Sequence, residues 1–139
     1  MSDTNQIDLK WERRFETGHD RIDFEHRIFL DIIVSIKEEI LAGRDKARIL
    51  RLLAELLAYS HFHFVSEGNI MLDCGYPGYK GHADHHQHLN EAFHDHMRMF
   101  EMGDKAANDI LDFLVEWFVN HTVHEDAKIA QYVRKHPRR

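Results

Sequence analysis

Histidines and carboxylates stand where a helical bundle needs hydrophobic side chains, and this limits the folds open to the chain more than any other feature. Two pairs are spaced four residues apart, His63 with Glu67 and His82 with His86. Residues so spaced on an α-helix lie one above the other on the same face, with Cβ atoms ~5–6 Å apart, so each pair converges on one point. Over Ile49, Leu53, Leu56, Ser60, His63, Glu67 and Ile70 the inward rhythm never breaks, so an imidazole and a carboxylate replace core hydrophobes at successive seam positions. In the segment before it, Ile22, His26, Phe29, Ile33, Ile36 and Ile40 form a similar seam with a histidine inside it. Burying an ionised carboxylate without a partner costs many kcal/mol, so Glu67 must be paired, protonated or bound to a metal. Pairs of this kind on different helices read as a two-metal site enclosed by the bundle.

The punctuation fits four helices. The first spans about 19–42 and ends near Gly43; the second, about 45–72, ends at the turn cluster Asp73-Cys74-Gly75-Tyr76-Pro77-Gly78, where Pro77 lacks the donor a continuing helix needs. The third, about 79–102, carries His82, His86, Leu89, Phe93 and Phe100 along one face and stops at Gly103. The fourth, about 104–135, takes Asp104 as its expected N-cap and turns Ile110, Leu114, Trp117 and His121 inward. No strand pattern occurs. Helices of ~33–48 Å joined by short connections predict an all-α, up-down-up-down four-helix bundle. Residues 1–18, with Trp11 and Phe15, are expected to form an N-terminal arm packed on the outside. Past His121 the periodicity leaves three inward candidates. Seam spacing favours His124, the four-residue rule favours Glu125, and a five-residue step to Asp126 falls ~140° around a plain α-helix.

Composition narrows the function classes. A chain of 139 residues, 43% hydrophobic and 30% charged, is expected to form one domain over 1–139. A formal charge of −6 with no basic stripe argues against nucleic acid as a partner. The basic tail Arg134, Lys135, Arg138 and Arg139 reads as a solvated helix end. A single cysteine, Cys74, excludes an internal disulfide framework; no apolar run reaches ~18 residues, so no membrane role is expected, and the polar start carries no signal-peptide core. The expected location is cytoplasmic. Thirteen histidines are the compositional outlier.

The strings Ile22-Asp23-Phe24-Glu25-His26, His63-Phe64-Val65-Ser66-Glu67 followed by Met71, Tyr76-Pro77 ahead of His82-x-x-x-His86, and Trp117-x-x-x-His121-x-x-x-x-Asp126 resemble the hemerythrin family in its bacterial single-domain form. The resemblance covers nearly the whole chain. It implies two iron ions per chain with an oxo or hydroxo bridge: His82, His86 and His121 on one, His26 and His63 on the other, Glu67 and Asp126 bridging both. Asp126 is preferred to His124 and Glu125 on these family grounds alone. Counting three imidazoles, two carboxylate oxygens and the bridge fills the first ion, whereas the second is one ligand short. The implied function is reversible dioxygen binding, as carrier, store or sensor and not as an enzyme, with azide or similar small anions taken by the oxidised form. Trp117 and Phe118 are the expected lining of the oxygen pocket. No protein partner is legible.

The alternative is a di-iron oxidase, ferroxidase or iron-storage protein. Ferritin-like proteins use Glu-x-x-His motifs, and Glu16-x-x-His19 and Glu91-x-x-His94 are present. Four positions depart from the family pattern: Glu25 where Gln is usual, Gly68 where a second Glu commonly follows the bridging one, Phe118 where Leu usually lines the pocket, and Thr122 where Ile commonly follows the last His. His61, His85, His88, His94, His96 and His124 are expected to stand away from the centre.

Overall fold

Each helix stops and starts where the backbone chemistry allows. His19 caps α1 (Asp20–Leu41), its Nδ1 accepting from the amide of Ile22 at 3.3 Å. Asp45 caps α2 (Lys46–Cys74) by accepting from the amide of Ala47 at 2.9 Å. Gly75, at φ 69°, takes the left-handed conformation that ends α2, and the amide of Tyr76 closes the stop on the carbonyl of Met71 at 2.9 Å. A computed structural model of the chain describes residues 9–43 and 45–136, with His121 described in its backbone alone.

The third helix, α3, spans Tyr79–Glu101. Asp104 does not begin the helix that follows. Its amide instead closes the α3 stop on the carbonyl of Met99 at 2.8 Å, beside Gly103 at φ 83°, and α4 (Ala107–Glu116) begins at Ala107 with no side-chain cap. The fourth rod is also not one regular helix: α4 runs into a π-helical segment, Trp117–Val123, and then into α5 (His124–Lys135).

Packing follows the chain order of an up-down-up-down bundle: α1 lies against α2 and α4, and α3 against α2 and α4. No strand forms among the described residues. Nor is any helix among them long and apolar enough to cross a membrane.

Two apolar clusters fill the interior. The larger holds Phe29, Ile33, Ile36, Leu53, Leu56, Phe93, Ile110, Leu114, Trp117 and Phe118; the smaller holds Ile22, Met71 and Ile129. Met71, not the half-buried Ile70, takes the last inward place on α2. The polar seam residues lie between these clusters along the first, second and fourth rods: His26 between Ile22 and Phe29, Glu67 and His63 between Met71 and Leu56, Asp126 between Phe118 and Ile129.

The arm goes deeper than expected. Residues 1–8 lie outside the described residues, but Phe15 is buried and meets the ring of Phe118 edge-on at 5.4 Å. Trp11 packs on Phe15 at 5.7 Å, with the guanidinium of Arg27 over its ring at 4.6 Å. A carboxylate anchors the junction: Asp23 accepts from the amide and hydroxyl of Thr17 at 2.8 and 2.7 Å and from the amide of Gly18 at 3.2 Å. At the other end of the chain, Arg134 donates to the carbonyl of Thr17 at 3.1 Å; Arg138 and Arg139 lie outside the described residues.

Candidate metal centre

Four helical elements each deliver part of a buried cluster. From α1 comes His26, from α2 His63 and Glu67 one turn apart, from α3 His82 and His86, and from α5 Asp126; all six are buried, with Glu67 and both α1 and α2 histidines at 0% exposure. The imidazoles of His26, His63, His82 and His86 each turn Nε2 toward one or both carboxylates. Asp126 Oδ2 lies 2.7 Å from His26 Nε2 and 3.1 Å from His63 Nε2, while its Oδ1 lies 3.2 Å from His82 Nε2. Glu67 is divided in the same sense, with Oε2 at 3.3 Å from His63 Nε2 and Oε1 at 2.5 Å from His82 Nε2 and 3.0 Å from His86 Nε2. Each carboxylate thus shows one oxygen to the α1/α2 imidazoles and the other to the α3 imidazoles. Two groups able to hold a metal ion result, His26, His63, Glu67 and Asp126, and Glu67, His82, His86 and Asp126, the ligand atoms of each lying within 4.8 Å of one another.

The π-helical segment explains how Asp126 reaches this point. Continuing the plain α-helical steps of Ile110, Leu114 and Trp117 through His121 leads to His124 or Glu125 and then Lys128. In the structure His124 and Lys128 are exposed and Glu125 half-buried, while Asp126 and Ile129 are buried. In a π-helix the N–H bonds reach back five residues instead of four, so one extra residue is taken up and the inward stripe resumes one position later. The backbone of His121 lies in this segment; its side chain is outside the described residues.

Two carboxylates in a dry interior are tolerable only through their partners. Burial pushes the Asp126 carboxyl up, but hydrogen bonds from His26, His63 and His82 outweigh it and hold the group well below the usual carboxylate range. Glu67 is raised by burial and by the charge of Asp126, and hydrogen bonds from His63, His82 and His86 bring it below its ordinary value. The imidazoles answer in kind. Burial lowers His63, yet Asp126, Glu25 and Glu67 carry it well above its ordinary value; His82, lowered by burial, is raised by Asp126 and Glu67 to about 9. These directions favour imidazolium–carboxylate pairing of His63 and His82 with Glu67 and Asp126 when no metal is bound. The fit is incomplete: His26 Nδ1 is buried with no hydrogen-bond partner, and Glu67 Oε2 has only the 3.3 Å ion-pair contact with His63 Nε2. Nitrogen and oxygen donors without sulfur suit a borderline or hard cation, iron among them.

The hemerythrin family, described as "Hemerythrin HHE cation binding domain", matches residues 17–133. The chain belongs to the hemerythrin family. Among its relatives, a bacteriohemerythrin of Pseudomonas paraeruginosa is 26% identical over 126 residues, spanning 91% of this chain and 82% of that protein. A bacteriohemerythrin of Clostridium acetobutylicum is 29% identical over 123 residues, spanning 84% and 94%. A third, from Stenotrophomonas maltophilia, is 23% identical over 128 residues, spanning 92% and 83%.

Within this hemerythrin fold the remaining histidines stand apart. His61, His88, His94 and His124 are exposed and His85 is half-buried. His96, also half-buried, stacks on Phe113 at 4.2 Å and accepts from Lys105 at 3.0 Å. The Glu-x-x-His motifs do not reach the centre either: Glu16, Glu91 and His94 are exposed, and His19 caps α1. Of the two expected pocket residues, Phe118 meets the ring of His26 edge-on at 5.9 Å. Trp117 stands one layer back, against Phe29 at 5.4 Å and Phe64 at 6.3 Å. Those two rings wall the site and were not anticipated: Phe29 lies 5.2 Å from His63, and Phe64 stacks on His86 at 3.8 Å. The seam rhythm flags Phe29, whereas nothing in the spacing marks Phe64. Glu25, one of the four departures from the family pattern, is buried and turns to His63, whose Nδ1 donates to its Oε1 at 2.7 Å.

Proposed function

We propose that this hemerythrin binds dioxygen reversibly at a non-haem di-iron site, serving as a carrier, store or sensor. The observation that supports it most is the division of Glu67 and Asp126, each with one oxygen toward each set of imidazoles. Two carboxylates so placed would suit bridging a pair of cations. On this reading His26 and His63 would hold one iron and His82, His86 and His121 the other, with a solvent-derived oxo or hydroxo group expected between them. Iron held there would supply the redox chemistry by which dioxygen is taken up and given back. Names borne by the relatives, all bacteriohemerythrins, point the same way.

The protein's own contribution is placement and dryness. Carboxylates and imidazoles brought together by four helical elements fix the ligand set before any metal arrives. Phe118 packs edge-on against His26 and Phe29 edge-on against His63, so aromatic rings line part of the α1/α2 half of the site. The α3 half lies nearer the surface: His82 and His86 retain 7% and 8% exposure, against 0% for His26 and His63. Water and protons are thereby kept from the half assigned the open position.

Metal analysis and visible spectroscopy test the reading. The purified protein is expected to carry two irons per chain, to change spectrum when oxygenated after reduction, and to return to the reduced spectrum under vacuum over repeated cycles. Steady consumption of dioxygen with release of ferric product, or oxidation of an added substrate over many turnovers, would replace the carrier with an oxidase. One zinc per chain would remove the di-iron site altogether.

A further inference from the structure

Adjacent residues on a helix point ~100° apart, so when His26 aims into the centre its neighbour Glu25 aims into the seam between α1 and α2. There its carboxylate is buried and fully engaged. Oε1 accepts from His63 Nδ1 at 2.7 Å; Oε2 accepts from the hydroxyl of Ser66 at 2.8 Å and from Nε of Arg21 at 3.1 Å. Ser66 stands one turn beyond His63 on α2, and Arg21 one turn before Glu25 on α1, so both helices hold the carboxylate in place. Tyr59 donates its phenol to the backbone carbonyl of Glu25 at 3.1 Å, which fixes the main chain as well. Glu25 is therefore a buried carboxylate ion-paired with the guanidinium of Arg21 at 3.1 Å and hydrogen-bonded to a candidate ligand, His63.

We propose that Glu25 is a positioning residue for the metal centre: it fixes the His63 proton on Nδ1, turns the Nε2 lone pair to Glu67 and Asp126, and by its charge lowers the reduction potential of iron held there. The inference rests on the di-iron reading given above. An ionised carboxylate has no proton to give, so His63 Nδ1 must be the donor in this contact and Nε2 is left to bind a cation. A carboxylate behind an imidazole makes that imidazole a stronger donor and favours the higher oxidation state of the metal in front of it. The two halves of the α1/α2 pair are unequal in this respect. His26 Nδ1 is buried with no hydrogen-bond partner, whereas His63 leans on a full negative charge. Ser66 and Arg21 draw part of that charge away, which makes them graded controls on the same device.

The test uses the full chain and two readouts that do not involve dioxygen. Cobalt(II) titration followed in the visible region reports metal binding, and anaerobic redox titration of the iron-loaded protein reports the potential. Glu25→Gln keeps the shape and an oxygen to accept from His63 but removes the charge. It is expected to stay folded with two metals per chain, to bind cobalt about 10- to 100-fold more weakly, and to raise the potential. Ser66→Ala, which leaves more charge on Glu25, is expected to move the potential the other way. Wild-type cobalt affinity and potential in Glu25→Gln, or shifts of the same sign in both variants, overturns the role of Glu25. Failure of the wild-type chain to take up cobalt or iron instead sinks the metal centre itself.

Discussion

Phe118 is 1% exposed and wedged between Phe15 of the arm and the ring of His26. Removing it strips hydrocarbon from the dry side of the centre without touching a ligand. Phe118→Ala is expected to cost ~3–5 kcal/mol of stability and to speed oxidation of the reduced, oxygenated protein while both irons remain. Phe118→Leu keeps most of the volume and is expected to change both properties less; stopped-flow oxidation rates and denaturant midpoints read the two effects. If autoxidation is unchanged in Phe118→Ala, the ring is packing and nothing more. Ligands and bystanders separate by substitution too. His86→Ala and Asp126→Ala are expected to lose iron, whereas His85→Ala and His124→Ala keep two per chain, and metal analysis showing the reverse removes the assignment. The gathering of His26, His63, Glu67, His82 and His86 was legible residue by residue, because an imidazole or carboxylate on an apolar seam is conspicuous. Glu25 was not, since its partner His63 lies 38 positions away and spacing within one helix carries no information about a neighbour.

At the level of elements, spacing succeeds wherever the helix is a plain α-helix. His63 with Glu67 and His82 with His86 converge as the four-residue rule requires. It fails past Trp117, where the π-helical turn adds a residue that the three-and-four rhythm has no place for. His124 and Glu125 were the better candidates by periodicity, and Asp126 is the one that reaches the centre. Asp104 misled for a related reason: an acidic residue ahead of an apolar run reads as a cap, but the Gly103 turn uses its amide to finish α3. A π-helical turn behaves as a single-residue insertion held in reserve. Deleting the exposed His124 shortens the five-residue step to four, and the segment is expected to relax to plain α-helix with Asp126 still inward. Deleting the exposed Ala58 from α2, which has no such reserve, turns His63 and Glu67 by ~100° relative to the preceding seam. The second deletion is therefore expected to lose metal binding and much of the thermal stability, and the first to remain folded and helical. Circular dichroism with cobalt titration compares them, and equal damage from both refutes the insertion account.

For the whole molecule the centre is a polar layer between two apolar clusters, so its protonation state bears on the stability of the entire bundle. Without metal, His63 and His82 are raised, the latter to about 9, against ~6.5 in an unfolded chain. A group whose folded value is raised contributes stability that is complete below the unfolded value and fades as pH climbs through the folded one. The metal-free protein is thus expected to lose stability between about pH 6.5 and 9, as the imidazolium partners of Glu67 and Asp126 discharge. Those carboxylates, held below their ordinary range, add stability present above the unfolded value of ~4 and lost as pH falls further. Metal reverses the alkaline trend. Cations need neutral imidazoles, so binding releases protons and tightens as pH rises over the window in which the metal-free form weakens. Metal at a thousandfold above its dissociation constant contributes ~4 kcal/mol, on the order of 10–15 °C in melting temperature for a chain of this size. The melting temperatures of the metal-loaded and metal-free proteins are therefore expected to diverge from pH 6.5 to 9, as scanning calorimetry can follow. A gap that stays constant or narrows over that range means that protonated imidazoles do not hold the empty centre together.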